Sequence, residues 1–387
     1  MKKTHKIFFA IVISLLIIYY LVTLIVPGII DKDHNKIRAK PPYKVSIEAE
    51  KLYNSLDFVS DMHCDALLWK RDLLKDNEFG QVDIPKMLRA NIGIQAFTIV
   101  TKSPKGQNFD KNSGDSDNIT SLYLAQGRPM SSLTNRTISQ CEALYKFANK
   151  SDGKFRVITS SKDFQIYIDD REKENNITAG FIGVEGAHAL DGKIKNVDVL
   201  FKNGVRMMAA THFFDNKLGG SAHGISGDGL TEFGKSVIQK MDELNMIVDV
   251  AHSSPKLIDD ILLITDQPIV SSHTGVKGTC DNVRNLSDKH IKAIANSGGL
   301  ISIAMFEQAV CGTDAKATAN AIKYTTDLVG VDFVALGSDF DGSVTTPFDI
   351  TGLPLIVDEL MKLNFSRDDI NKIMGANMKR FLLKNLP

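Results

Sequence analysis

The sequence carries no charge surplus: Lys+Arg and Asp+Glu both number 46 in 387 residues. Nucleic acid, which is bound through a basic excess, is therefore not an expected partner. Cysteine is scarce. Cys64, Cys141, Cys280 and Cys311 show no CxxC spacing and no dense framework, so the fold does not rest on disulfides. One or two bridges remain compatible with an oxidising compartment. No G-x-G-x-x-G follows the first apolar strand candidate, which weakens a dinucleotide-binding reading. There is no internal repeat, no low-complexity tract and no apolar C-terminal tail for a lipid anchor. What is present is ordinary for a globular chain, 43% hydrophobic and 24% charged, enough to bury a core of normal size.

The N-terminus departs from that average. Lys2, Lys3 and Lys6 precede an apolar run from Ile7 to about Ile30, long enough to cross ~30 Å of hydrocarbon. A secretory h-region is shorter and ends in small residues. Residues 1–30 therefore read as a cytoplasmic tip and single-pass signal anchor, with a cleaved signal peptide as the alternative. Lys and Arg are nearly balanced on the two sides, so the positive-inside count decides little. The large domain is expected outside the cytoplasm. Residues 31–45, with Pro41-Pro42, read as a stalk, and 46–387 as the folded domain.

From Ser46 onward, short apolar runs alternate with amphipathic stretches. Strands are expected at Asp57–His63, Gly93–Val100, Ala179–Val184, Val205–Ala210, Met246–Ala251, Pro268–Ser272, Gly299–Met305 and Phe333–Gly337. Helices are expected at Gly234–Leu244, Ala315–Leu328 and Ser366–Leu383. Strand–helix alternation with eight strands predicts an α/β fold of the (β/α)8 TIM-barrel type; an open doubly wound sheet is the runner-up. Between the second and third strands, Ser103–Asn118 reads as a polar loop and the sequence around Met130–Asn149 as helix. Lys384–Pro387 reads as a frayed end.

In such a barrel, chemistry sits at the C-terminal ends of the strands, and nearly every strand here ends in a metal-competent or charged residue. His63 and Asp65, two apart on an extended strand, face one way and suit one Zn²⁺. Alone this pair is a weak signal. Glu185 follows the third strand, and its two oxygens can bridge two metals. His252 and His273 each end an apolar run and precede small polar residues. Together these residues supply two nitrogen/oxygen sites that share Glu185. His212 reaches the same mouth, either as ligand or as donor to a substrate oxygen. Asp339 can move a proton between water and leaving amine; Asp341 competes by the same period of two, or is a turn residue before Gly342. Arg284 can clamp a carboxylate.

The stretches Asp61-Met62-His63-Cys64-Asp65, Gly183-Val184-Glu185-Gly186-Ala187-His188, Thr211-His212, Gly229–Gly234, Asp249–Ser253, Ser272-His273, Asn282–Asn285, Gly337–Gly342 and the closing Ile373–Phe381 resemble the membrane (renal) dipeptidase family of zinc dipeptidases. The resemblance spans about residue 46 to 384. It implies His63 and Asp65 on one zinc, His252 and His273 on a second, and Glu185 between them. A hydroxide held by the two metals would attack the peptide carbonyl. Glu185 and Asp339 form the implied catalytic pair, and His212 and Arg284 bind substrate. The implied substrates are dipeptides, including those with a C-terminal D-residue. A homodimer is left open. The rival readings are another binuclear amide or ester hydrolase on this fold, and a non-catalytic surface module.

Overall fold

A computed structural model describes residues 2–128, 131–174 and 176–387. Among the described residues nine strands form one sheet: β1 Val59–Cys64, β2 Ile92–Ile99, β3 Phe155–Val157, β4 Thr178–Val184, β5 Val205–Ala209, β6 Ile247–Asp249, β7 Val270–Thr274, β8 Leu300–Ile303 and β9 Val334–Leu336. Eight run parallel in the order β1-β2-β4-β5-β6-β7-β8-β9, and β3 lies off this path on β4. Every residue of those eight strands is buried, as expected where helices cover a parallel sheet. The circuit closes from β9 to β1. Cys64 bridges Phe340, and the Asp65 amide donates to the Phe340 carbonyl at 2.9 Å. The buried Asp61 carboxylate accepts from the Ser338 amide and hydroxyl, each at 2.7 Å.

All eight expected strands are present, with ends displaced by at most two residues. β3 was not anticipated: three residues, Phe155-Arg156-Val157, carry too little pattern to register. The expected helix around Met130–Asn149 is Leu133–Lys150; Met130 itself lies outside the described residues. Helices follow strands because the connecting residues cap them. After β6, Ser254 accepts from the Leu257 amide at 3.0 Å and Pro255 occupies the first turn.

The closing helix, expected over Ser366–Leu383, is present without interruption as Arg367–Asn371, a π-helical turn Lys372–Ala376, and Asn377–Asn385. The turn brings Gly375 so near β1 that a Cβ there would lie 2.0 Å from the Phe58 carbonyl oxygen. The terminus is not frayed: Leu386 is buried and the Pro387 carbonyl accepts from the Ser161 amide at 2.9 Å.

The N-terminal helix α1, Lys2–His34, is long and apolar enough to cross a membrane over His5–His34. It runs past Ile30, and residues 31–45 do not stand free as a stalk. Thr23, Pro27, Asp31 and Asn35, spaced by four, form a buried stripe against the barrel. Asp31 meets Arg71 Nε at 2.8 Å, Arg71 meets Asp341 at 2.7 Å, and Asn35 donates to Asp31 at 2.8 Å. Beyond the helix, Ile37 bridges Thr346, and Arg38 pairs with Glu307 at 2.6 Å. The physical reason is the buried guanidinium of Arg71, which needs carboxylates and finds one of them on α1.

Candidate metal centre

Parallel strands put their C-terminal ends on one side, and there the polar residues converge. His63 and His273 lie within β1 and β7, and Asp65 and Glu185 sit one residue past β1 and β4. His212, His252 and Asp339 each lie three residues past the ends of β5, β6 and β9. All are buried. His252 and Asp339 have left-handed backbone, φ 61° and 63°, a conformation that concentrates at functional sites.

Glu185 is the centre of the cluster. Its Oε1 lies 3.0 Å from His252 Nε2, 3.3 Å from His273 Nε2 and 3.7 Å from His63 Nε2. Its Oε2 lies 3.2 Å from His212 Nε2. His63 Nε2 also faces Asp65 Oδ1 at 3.5 Å and Asp339 Oδ1 at 3.9 Å. Three overlapping sets of donor atoms result, His63/Glu185/His273, Glu185/His212/His252 and His63/Asp65/Asp339, each with its atoms within 4.8 Å of one another.

The protonation of two imidazoles follows from a residue that the sequence did not single out. Ser272 Oγ donates its one proton to Asp249 Oδ2 at 2.6 Å. Asp249 Oδ1 is already held by the amides of Ala251 and Ser272, at 2.9 and 3.0 Å. The hydroxyl can then only accept from His63 Nδ1 at 3.1 Å and His273 Nδ1 at 3.0 Å. Both rings therefore carry a proton on Nδ1, so that in the neutral form each turns a bare Nε2 lone pair toward Glu185. His63 Nε2 is enclosed and has no hydrogen-bond partner among the described residues. Acceptors facing acceptors in a buried space require a positive charge, whether a proton on His63 or a metal ion, and this nitrogen and carboxylate set suits Zn²⁺. Thr98 holds Asp65 Oδ1 at 2.6 Å from the other side.

Without a cation the cluster is electrostatically frustrated. Burial pushes Glu185 well above the carboxylate range, and Asp65 adds to this. Burial opposes charge on His63, but Asp65 and Glu185 outweigh it and lift that ring to about 10. Burial holds His212, His252 and His273 well below the usual imidazole value. Burial lifts Asp339 to about 7, against the pull of His63.

Arg284 is buried at the rim and donates to the His273 carbonyl. It lines a cavity of about 430 Å³ with Asp65, Glu185, His212, His252 and Asp339. A second lobe of about 340 Å³ reaches the same Glu185 and His212 and is walled by Trp69 and, on α1, by Ile30 and His34. Asp341 is not at the cluster. Its oxygens accept from the Gln81 and Val82 amides, at 2.8 and 3.1 Å, and face Arg71. It is a structural carboxylate, which leaves Asp339 alone on the metal side. His188 packs its ring 4.9 Å from that of Phe214 and has no polar partner among the described residues.

The loop that carries Arg284 is pinned by a disulfide between Cys280 and Cys311, and by Asn285, which donates to the Cys280 and Ala309 carbonyls. Cys64 and Cys141 are buried free thiols.

Residues 48–385 match the family described as membrane dipeptidase, peptidase family M19. The chain belongs to this family. Its chemistry is metal-dependent dipeptide hydrolysis, and the chain carries the clustered donors that such chemistry needs. An uncharacterized protein in the pqqA 5′ region of Klebsiella pneumoniae is 29% identical over 264 residues, 64% of this chain and 94% of that protein. Dipeptidase aclJ of Aspergillus oryzae is 23% identical over 349 residues, covering 84% of this chain and 77% of its own. The fold is that of a Rhodobacter sphaeroides metallopeptidase solved with a phosphinate mimic of L-Ala-D-Ala. The TM-score is 0.68 at 20% identity, over 85% of this chain and 99% of that one.

Proposed function

We propose that this M19 member hydrolyses dipeptides, including those with a C-terminal D-residue, with two zinc ions as cofactor. The carrying observation is the convergence of bare imidazole nitrogens and buried carboxylates on Glu185. His63 and Asp65 would hold one ion, His252 and His273 the other, and Glu185 both. Bound there, the pair supplies a hydroxide nucleophile at neutral pH and polarises the scissile carbonyl.

The chain's own residues do the rest. Asp339, lifted toward neutrality by burial, takes the proton and returns it to the leaving amine. His212, kept neutral by burial, orients the carbonyl oxygen. Arg284 meets the free carboxylate of the dipeptide. The relative bound to an L-Ala-D-Ala mimic supports the L-D part of the reading. Helix α1 would anchor the chain in a single pass with residues 46–387 as catalytic domain outside the cytoplasm. The Cys280–Cys311 bridge supports an oxidising side.

The test is metal content and hydrolysis of L-L and L-D dipeptide panels by the purified full chain in detergent, with and without chelator. About two zinc per chain and chelator-sensitive cleavage are expected. Metal without cleavage of any dipeptide would transfer the site to another amide or ester; absence of metal would overturn the assignment.

A further inference from the structure

Beside α1 lies a further cavity, of about 330 Å³, with none of the metal donors in its lining. Its lining combines apolar Leu67, Trp69 and Phe147 with Lys70, Arg128, Lys146 and Lys150. Arg71 also lines it but is consumed by Asp31 and Asp341. Asp72, the one acid in the lining, faces Lys75 at 3.8 Å. The four remaining cations have no carboxylate partner among the described residues. Lys146 and Lys150 are one helical turn apart on Leu133–Lys150 and both are exposed. Arg128 lies over the Tyr123 ring at 5.0 Å, and its Nη1 is enclosed without a partner. Lys150 also complements the carboxyl end of its helix, but that explains neither Lys70, Lys146 nor Arg128.

Position supplies the second argument. The apolar run of α1 is largely exposed over Ile7–Val22; Thr23 is the first residue of the helix buried against the barrel, and beyond it Leu24, Ile25 and Ile29 stay exposed. Lys70 Nζ donates to the Thr23 carbonyl at 3.1 Å. A helix rises about 1.5 Å per residue, so the run from Ile7 spans most of a ~30 Å hydrocarbon layer by the time it reaches Lys70. On a span that begins at Ile7 the cavity lies near headgroup level, where its cations suit a phosphate and its apolar residues suit the first methylenes of a chain. Lysine and arginine at that level favour an anionic surface; Lys70 and Arg128 also donate to the Thr23, Leu67 and Trp69 carbonyls, and Lys146 and Lys150 have no ion-pair partner among the described residues.

We propose that this cavity binds the phosphate headgroup of an anionic membrane lipid. The inference rests on the membrane-anchored reading of α1 but not on the catalytic one. The family match begins at residue 48, so α1 lies outside the matched residues and Lys70 within them.

The experiment uses the full chain. Flotation with phosphatidylcholine vesicles first tests anchoring; a chain that stays in the soluble fraction overturns the anchored reading itself. Native mass spectrometry in mild detergent then compares retention of phosphatidylglycerol and phosphatidylcholine. The expected result is a preference of roughly tenfold for phosphatidylglycerol. The double variant Lys146→Gln/Lys150→Gln should bring this to within about twofold. The variant Lys292→Gln/Lys316→Gln, an equal charge loss on exposed helix positions elsewhere, should leave it intact. Melting temperature and metal content should be the same in all three chains. A floating wild type with no preference, an equal loss in both double variants, or displacement of the lipid by millimolar inorganic phosphate would each overturn the lipid assignment.

Discussion

Replacing Ser272 by alanine removes one hydroxyl and should weaken two metal sites at once. That hydroxyl accepts from His63 Nδ1 and His273 Nδ1 while donating to Asp249. Without it, both rings lose the contact that keeps their protons on Nδ1 and their Nε2 atoms bare. Loss of such an outer contact lowers metal affinity about 10- to 100-fold, or roughly 1.4–2.8 kcal/mol. His63 and His273 belong to different proposed sites, so both zinc affinities should fall together. Asp65→Asn, by contrast, should weaken one. The fold should survive, because Asp249 Oδ1 keeps the Ala251 and Ser272 amides. Competition titration of the metal-depleted full chain against a chromophoric zinc chelator measures both steps, with a thermal melt as control. Unchanged affinity at both sites, with an unchanged melt, would refute the tautomer argument and with it the case that the cluster demands a cation.

Four further outcomes are expected. Asp339→Asn should keep metal and fold but lose about 10²- to 10⁴-fold in kcat; full turnover would place the proton elsewhere. Arg284→Ala should raise KM by roughly 10- to 100-fold for dipeptides with a free carboxylate, and an equal loss on amidated substrates would contradict the clamp. Burial drives His188 down to about 3, below its unfolded value near 6.5. The unfolded chain then binds the extra proton between these values, so stability is full above about 6.5 and falls as pH drops toward 3. In the chelated chain, His188→Leu should flatten the denaturant-midpoint slope over that window, and an unaltered slope would exclude His188 as its source. Cys280→Ser/Cys311→Ser opens a link 31 residues apart in sequence, costing about 3–4 kcal/mol by loop entropy; a denaturant midpoint indifferent to reductant would show the bridge contributes nothing.

The barrel and the ligand types were legible because both follow from local pattern. A run such as Met246–Ala251 ending in His252 declares a strand and a donor at its end together. Asp339 and Asp341 show where this logic fails. The period of two requires extended backbone, but β9 ends at Leu336 and both aspartates have left-handed φ, 63° and 61°. Alternation therefore did not distinguish them, and only the Gln81 and Val82 amides did. Ser272 and Asp249 were visible as neighbours of the histidines but carried no signal of their own, since their role depends on β6 and β7 lying side by side. The Asp31–Arg71–Asp341 contact joins residues 40 and 270 positions apart, beyond any window. So does the pairing of Cys280 with Cys311.

On the anchored reading, the clamp on α1 ties the catalytic mouth to the mechanics of the bilayer. A helix gripped through Thr23, Pro27, Asp31 and Asn35 has no swivel between its apolar run and the barrel. Any tilt the helix adopts to match hydrocarbon thickness is passed undamped to the domain. Ile30 and His34 are walls of the substrate cavity, so the same tilt sets the direction in which that cavity opens. Membrane thickness then becomes a geometric input to which substrates, free in solution or lying along the surface, approach the site without hindrance.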